Sequence, residues 1–228
     1  MTISHSKLTN WYDFQAPIYH FWRDDYCQPV VRILLENLAP DSSSTKVLDA
    51  GCGTGLFTIS VARARPSWEI MGTDMSLGML DVARKQSRKL LLENTRFVQG
   101  DVTALPAPDS TYDVVIAGGL FPNLNESTAA LREFHRVMKS DSRLYVIEVD
   151  RASMSLLTKM FFKVMIFGYE LVSRLVPKFR FASEWSIESS TIDLQGFLKQ
   201  ASKCGFRVET IGKIPSYVLF ELTKPDAS

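Results

Sequence analysis

The chain has 228 residues, of which 46% are hydrophobic, and its formal net charge is +1. This length and composition predict one α/β domain over residues 1–228 with a full hydrophobic core, and the small charge excludes a global basic field for nucleic acid, which is therefore not an expected partner. The three cysteines, Cys27, Cys52 and Cys204, are few and odd in number, which fits a reducing cytoplasm and excludes a thiolate zinc cluster, so no metal is expected.

The N-terminal region, residues 1–40, is predicted to form a helical cap. It contains no apolar segment of signal-peptide length, so we expect the chain in the cytoplasm. Two helices are predicted, at about 10–23 and 27–39, with a break near Pro29 because proline removes a hydrogen bond from a helix.

The first predicted strand runs into a glycine-rich turn in the sequence Val47-Leu-Asp-Ala-Gly-Cys-Gly-Thr-Gly55. Its three alternate glycines, Gly51, Gly53 and Gly55, predict a turn in which a ligand lies close to the backbone. The carboxylate of Asp49 is expected at the strand tip, where ligands bind in open α/β sheets. The G-x-G-x-G spacing differs from both the dinucleotide-binding fingerprint and the P-loop.

Two further predicted strands also end in acids. The strand at 68–74 ends in Asp74, which is placed to accept both ribose hydroxyls of an adenosine. The strand at 95–100 is followed by Asp101, which suits the exocyclic amine of an adenine. Each acid alone would also fit a simpler role as the cap of the following helix. All three acids together, behind a glycine turn, favour an adenosine pocket.

The rest of the chain alternates helix and strand. This alternation predicts a doubly wound, mostly parallel sheet of seven strands with an antiparallel hairpin at its C-terminal edge. Ser76 and Asn125 are the predicted N-caps of two of the helices. The predicted helices lie at 54–64, 76–91, 126–138 and 191–203, and the remaining strands at 112–117, 143–149, 205–211 and 216–223.

An insert at 151–188 separates the fifth strand from the last helix. Within 154–178, apolar residues recur at helical spacing and the polar positions are mainly basic, a pattern typical of a helix on an anionic membrane surface. A helical lid that packs on the sheet and around the substrate explains the same pattern. Either interpretation predicts a large apolar substrate. The basic residues at the polar positions are Lys159, Lys163, Arg174 and Lys178, and Arg180 follows them.

The glycine turn and the strand-end acids resemble the class I S-adenosylmethionine-dependent methyltransferases, from about Tyr12 to the C-terminus. The segment Tyr12-Asp-Phe-Gln-Ala-Pro-Ile-Tyr19 is similar to a Tyr-Asp-x-x-Ala-x-x-Tyr motif of these enzymes, although its tyrosines would also fit simple helix packing. The resemblance implies S-adenosyl-L-methionine as the cofactor and S-adenosyl-L-homocysteine as its product. The implied cofactor-binding residues are Tyr12 and Tyr19 over the methionine end, Asp49, Gly51, Gly53 and Gly55 around the methionine part, Asp74 on the ribose, Met75 against the adenine, Asp101 and Val102 on the adenine edge, and Ala117 in the fourth strand.

Within these enzymes, the layout is most similar to the ubiquinone/menaquinone C-methyltransferases, with phospholipid N-methyltransferases next. The segments Glu184–Glu188 and Leu194–Phe206, followed by a terminal hairpin, carry this likeness. Two segments differ: that group has Tyr-Asp-x-Met-Asn where this chain has Tyr12-Asp-Phe-Gln-Ala, and Pro-Gly-Gly where it has Ser140-Asp-Ser142. The resemblance implies a small lipophilic acceptor that is quinone, phenolic or lipid-like.

The chemistry of the acceptor decides whether a general base is needed. An oxygen or nitrogen acceptor needs little acid–base help, whereas a carbon on a phenolic ring must lose a proton. No catalytic residue is assigned; His20 is the candidate base, although a surface or packing role on an aromatic helix is the simpler explanation. Glu148 and Asp150 are expected to face the cleft from the end of the fifth strand.

Two other functions remain open at this point. A non-catalytic adenosine-binding protein would use the same pocket. A nicotinamide-dependent oxidoreductase would need a third glycine where the chain has Leu56.

Overall fold

The structure of the chain is a computed structural model, which describes residues 5–39, 45–150, 153–157, 159, 160, 163, 164, 167, 193–214 and 216–226. The side chains of residues 5–7, 18, 20–26, 210, 213 and 214 lie outside this description. Most of the predicted insert at 151–188 also lies outside it, so the lid interpretation stays a prediction.

A seven-stranded sheet forms the centre of the molecule, with the strand order β3-β2-β1-β4-β5-β7-β6. The first five strands are parallel, and β7 runs antiparallel to both of its neighbours, β5 and β6. The predicted doubly wound sheet and its C-terminal hairpin are confirmed. The strands are β1 Lys46–Ala50, β2 Glu69–Asp74, β3 Thr95–Gln99, β4 Tyr112–Gly118, β5 Met138–Val149, β6 Arg207–Ile214 and β7 Tyr217–Thr223.

Helices cover both faces of the sheet, and the alternation of side chains along each strand explains why. Val47 and Ile116 face one side, where they pack with α1 and α2. Leu48 and Val115 face the other side, where they pack with α4 and α5. The helices are α1 His5–Asn37, α2 Leu56–Ala64, α3 Leu77–Lys89, α4 Ser127–Val137 and α5 Leu194–Lys203, with a short 3₁₀ helix at Phe121–Asn123.

The predicted break near Pro29 is wrong, because α1 is one helix that contains both Pro17 and Pro29. A proline in a helix costs about 3 kcal/mol through a lost hydrogen bond and a ring clash, yet its own φ is helical. The residues around and after Pro29 are buried against the sheet, and each such side chain contributes about 1.5–3 kcal/mol. Packing therefore outweighs the local cost. The buried residues are Cys27, Val30, Val31, Leu34 and Leu38.

Two smaller predictions also differ from the structure. The N-cap of α4 is Glu126, one residue after the predicted Asn125. Strand β5 begins at Met138 rather than at residue 143, because Met138 already pairs with Tyr112 before the register shifts. The predicted N-cap Ser76 is confirmed, since its hydroxyl accepts a hydrogen bond from the Met79 N–H at 3.0 Å.

Candidate functional site

The carboxyl ends of the parallel strands meet at one edge of the sheet, and the glycine-rich turn lies there after β1. Gly51, Gly53 and Gly55 have φ values of +71°, +54° and +86°, which side chains other than hydrogen rarely permit. The N–H groups of Gly51 and Cys52 both donate to the Thr73 carbonyl oxygen, at 2.8 and 2.9 Å. These bonds fix the turn to the end of β2.

Neighbouring elements also pack closely on this turn. A Cβ atom at Gly51 would lie 2.8 Å from Leu120 Cδ1, so the segment after β4 lies directly against the turn. A Cβ atom at Gly55 would lie 3.0 Å from the Ala83 Cβ on α3. The turn is thus enclosed by elements from two sides.

Asp49 is completely buried at the end of β1. Its Oδ2 accepts hydrogen bonds from the Thr58 N–H at 2.9 Å and from the Thr58 hydroxyl at 2.6 Å. The carboxylate therefore joins β1 to the first turn of α2. It lies at the strand tip, as expected, but below the turn rather than at the surface of the cleft.

Asp74 lies beside the glycine turn, as its predicted role on the ribose requires. Its Oδ2 accepts from the Gly53 N–H at 2.8 Å, and its Oδ1 accepts from the Ser76 N–H at 2.9 Å. A carboxylate accommodates about four hydrogen bonds, so these two are compatible with contacts to a ribose. Met75 follows, partly buried, and its carbonyl oxygen accepts from Gln99 Nε2 at 3.0 Å at the end of β3.

Asp101 caps the short turn that follows β3. Its Oδ1 accepts from the Thr103 N–H at 2.8 Å and from the Thr103 hydroxyl at 2.7 Å. The described bonds thus fit the simpler capping role, and its role on an adenine stays a prediction. Val102 and Ala117 are both buried among the residues on the α4 and α5 side of the sheet, and their predicted contacts with the cofactor stay predictions.

The two tyrosines of the N-terminal motif lie together at the same edge. The rings of Tyr12 and Tyr19 meet edge to face, with centroids 6.1 Å apart. The Tyr12 hydroxyl donates to Asn123 Oδ1 at 3.1 Å, which joins α1 to the 3₁₀ helix after β4. His20 is part of α1, but its side chain lies outside the described residues and its role as a base stays a prediction.

Sequence reasoning missed Asp13, which lies between the two tyrosines. Its Oδ1 accepts from the Ser76 hydroxyl at 2.5 Å and from the Gly78 N–H at 2.8 Å. The signal was present in the motif itself, since aspartate follows the first tyrosine. The partner residue Asn123 carried no comparable signal.

Glu148 is a buried acid at the end of β5, with only 1% of its surface exposed. Its Oε1 accepts from the Phe121 N–H at 3.1 Å, and its Oε2 has no hydrogen-bond partner within the described residues. Burial raises the pKa of Glu148 to about 8, against the opposing effect of the Phe121 and Leu120 N–H groups. The expected exposure of Glu148 to the cleft is therefore wrong, because the segment after β4 covers it.

Asp150 is also largely buried, and its N–H donates to the Ser216 carbonyl oxygen at 2.9 Å.

In the part of the chain that the structure describes, no group of three His, Cys, Asp or Glu side chains is placed to hold a metal ion. The same part contains no helix that is both long and apolar enough to cross a membrane.

Comparison with known proteins gives a consistent result. Residues 41–184 match the family described as "Methyltransferase domain". The chain is 31% identical over 153 residues to a demethylmenaquinone methyltransferase of Staphylococcus aureus, and the alignment covers 67% of this chain but only 62% of that relative.

Two solved structures share the fold. A putative S-adenosyl-L-methionine-dependent methyltransferase from Methanococcus maripaludis has a TM-score of 0.63 and 21% identity, and the match covers 90% of this chain and 92% of the other. The [4+2]-cyclase SpnF has a TM-score of 0.73 and 17% identity, with 96% of both chains covered. Because the family match covers more than half of its length, the chain belongs to the methyltransferase domain family, and its fold is that of the class I S-adenosylmethionine-dependent methyltransferases.

Proposed function

We propose that the protein transfers a methyl group from S-adenosylmethionine to a small lipophilic acceptor. The observation that carries this proposal is the bond between Asp74 and the Gly53 N–H, which joins the acid suited to a ribose to the glycine turn. The positive φ values of Gly51, Gly53 and Gly55, a conformation that favours glycine, add a turn in which the backbone can lie close to a ligand. These features fit a ligand with an adenosine at one end and a compact polar chain at the other.

Each residue then has a defined part in holding the cofactor. Asp74 binds the ribose hydroxyls, Met75 packs on the adenine, and the Asp101–Val102 segment borders the adenine edge. The glycine turn and Asp49 surround the methionine part, with the backbone at Ala117 beside it. Tyr12 and Tyr19 close over the methionine end, a role that the edge-to-face contact between their rings supports.

Methyl transfer from a sulfonium donor requires little from the protein beyond the correct position of the two reactants. The bound cofactor supplies a methyl group that is already activated by its sulfonium charge. The residues around it must hold the acceptor atom in line with that methyl group and exclude water. A carbon acceptor would also require a base, for which His20 is the candidate from the sequence.

A lipophilic acceptor is supported by two observations. The relative from Staphylococcus aureus is named for a quinone substrate. In addition, the described part of the insert exposes large apolar side chains, with 55–79% of their surface accessible. These side chains are Leu156, Leu157, Met160, Val164 and Phe167.

We also infer that this insert contacts an anionic membrane surface. From Leu157 to Phe167 the exposed apolar residues recur at intervals of three or four, a spacing that puts them along one side of a helix. Lys159 and Lys163 occur among them and add the positive charge that attracts anionic lipid. Such a surface would give the enzyme access to an acceptor dissolved in the bilayer.

Mass spectrometry tests the proposed reaction. The protein is incubated with methyl-labelled cofactor and with quinone and phospholipid extracts, and the products are searched for a transferred label. Label in a quinone or phenolic compound supports the first proposal, and label in a phospholipid headgroup supports phospholipid N-methylation. No label in any extract, despite tight binding of S-adenosylhomocysteine, would favour a non-catalytic adenosine-binding protein.

A further inference from the structure

Two adjacent residues of α1 contact opposite halves of the candidate cofactor site. Asp13 bonds to the start of α3, beside the acid proposed for the ribose. Tyr12 bonds to Asn123, on the segment that follows β4 and packs on the glycine turn. We call Tyr12 and Asp13, with their partners Asn123, Ser76 and Gly78, the N-terminal clasp.

The approach of α1 to α3 is close enough to require glycine. A Cβ atom at Gly78 would lie 2.9 Å from the Asp13 Cα and 3.1 Å from the Asp13 carbonyl oxygen. Both of these are backbone atoms, which cannot move aside as a flexible side chain does. Glycine in a helix costs about 0.5–1 kcal/mol relative to alanine, so its presence in the first turn of α3 is explained by this contact.

Ser76 links Asp13 to the acid proposed for the ribose. The Ser76 hydroxyl donates to Asp13 Oδ1 at 2.5 Å and accepts from the Met79 N–H at 3.0 Å. The Ser76 N–H donates to Asp74 Oδ1 at 2.9 Å. Ser76 itself is buried, with 1% of its surface exposed. Asp13 thus binds the side chain of Ser76, and the backbone of the same residue binds Asp74.

We propose that Asp13 is a positioning residue for the adenosine half of the cofactor, acting on Asp74 through Ser76, while Tyr12 controls the methionine half through Asn123. This inference rests on the proposed function. It makes the docking of α1 and the binding of the cofactor one coupled event. Because such coupling is reciprocal, cofactor binding must also strengthen the contact between α1 and α3.

Calorimetric binding of two ligands separates the two arms of the clasp. S-adenosylhomocysteine has both the adenosine and the amino-acid end, whereas 5′-methylthioadenosine lacks the amino-acid end. Asp13→Ala should weaken binding of both ligands by about tenfold or more, because two bonds to a charged acceptor are lost. Tyr12→Phe should weaken S-adenosylhomocysteine and leave 5′-methylthioadenosine unchanged.

Four further variants separate the effect of the hydrogen bonds from the effects of helix packing and of surface charge. Gly78→Ala removes no polar group but separates the helices, so it should weaken both ligands as Asp13→Ala does. The double variant Asp13→Ala/Gly78→Ala should bind each ligand no more weakly than either single variant does, because both substitutions disrupt the same contact between α1 and α3. Asp13→Asn keeps an oxygen that accepts the same bonds and should stay within about threefold of the parent. Glu36→Gln, an exposed acid on the same helix, should have no effect.

The outcomes distinguish this inference from the proposed function. Unchanged affinity of Asp13→Ala and Gly78→Ala for both ligands, with a lower melting temperature, would reduce the clasp to ordinary packing and overturn the inference. The inference would also be overturned if Asp13→Asn and Asp13→Ala weakened ligand binding equally. The hydrogen bonds that the side-chain oxygen of residue 13 accepts would then make no difference to the affinity. Failure of the parent protein to bind S-adenosylhomocysteine would instead contradict the proposed function.

Discussion

At the scale of single residues, Asp74 offers the most direct test of the cofactor site. Asp74→Ala would remove two bonds to the ribose, each about 1.5–3 kcal/mol, and should weaken binding of S-adenosylhomocysteine by at least a hundredfold. It would also leave the Gly53 and Ser76 N–H groups without this acceptor, so a small loss of thermal stability is expected. Isothermal titration calorimetry measures the affinity.

The matched control is Asp81→Ala, which removes an exposed acid that pairs with Arg84 on α3. It should bind the ligand as the parent does, since surface ion pairs contribute about 0–1 kcal/mol. Parent-like affinity in Asp74→Ala would show that the ribose site has been wrongly assigned.

Glu148 predicts a pH dependence of folding stability. Burial raises its pKa from 4.5 to about 8, so between these values the folded state keeps a proton that the unfolded state has lost. The stability associated with the neutral acid is therefore complete below pH 4.5 and is lost as the pH rises through about 8. Glu148→Gln keeps an oxygen for the Phe121 N–H and cannot ionise. Its advantage in unfolding free energy over the parent should grow by several kcal/mol across this range.

Urea unfolding at pH 5.5, 7.0 and 8.5 measures this difference, because other titrating groups affect both proteins alike. Parallel stability curves for the parent and Glu148→Gln would mean that Glu148 titrates normally.

The sequence was a good guide to residues whose role depends on their place in a strand, and a poor one to residues whose role depends on distant segments. The position of Asp74 follows from the end of β2. The burial of Glu148 depends on Phe121, which lies in another part of the chain. The bonds of Asp13 depend on how α1 crosses α3, which no spacing within residues 12–19 reveals.

At the scale of elements, the strands and the C-terminal hairpin were predictable because they depend on short apolar runs and turn residues. The continuity of α1 was not, because the cost of Pro29 is visible in the sequence while the burial that offsets it appears only in the folded chain. The insert shows the same limit. The helical spacing of its apolar residues is visible in the sequence. The sequence alone does not show whether that apolar face packs on the sheet or contacts a membrane.

The exposed face of the insert predicts membrane binding that depends on charge. Changing Lys159 and Lys163 to Gln should weaken binding to vesicles of phosphatidylserine and phosphatidylcholine by roughly thirtyfold, since each basic residue contributes about 1 kcal/mol. Co-sedimentation at two salt concentrations measures this, because screening weakens the electrostatic part. Arg174 and Lys178, which share the predicted pattern, lie outside the described residues.

The matched control uses Lys85 and Lys89, two exposed lysines on α3 with the same spacing of four residues. Their change to Gln should leave vesicle binding almost unaltered. Equal losses in both double variants would indicate a general charge effect, and failure of the parent to sediment at low salt would remove the membrane proposal.

At the scale of the whole molecule, the candidate site is assembled from segments that are far apart in the chain. The N-terminal clasp, the glycine turn, the end of β2 and the segment after β4 all meet at one edge of the sheet. A ligand that contacts all of them would join these elements through one further set of contacts. Binding should therefore stabilise the fold as a unit.

Thermal unfolding tests this directly. S-adenosylhomocysteine at a hundred times its dissociation constant should add about 2.7 kcal/mol of stability, which for a chain of this size raises the melting temperature by roughly 5–10 °C. NAD at the same concentration should produce no shift, because Leu56 occupies the position of the third glycine of its fingerprint. Asp74→Ala at the same ligand concentration should show a much smaller shift than the parent. A shift with NAD and none with S-adenosylhomocysteine would mean that this methyltransferase fold binds a different adenosine cofactor.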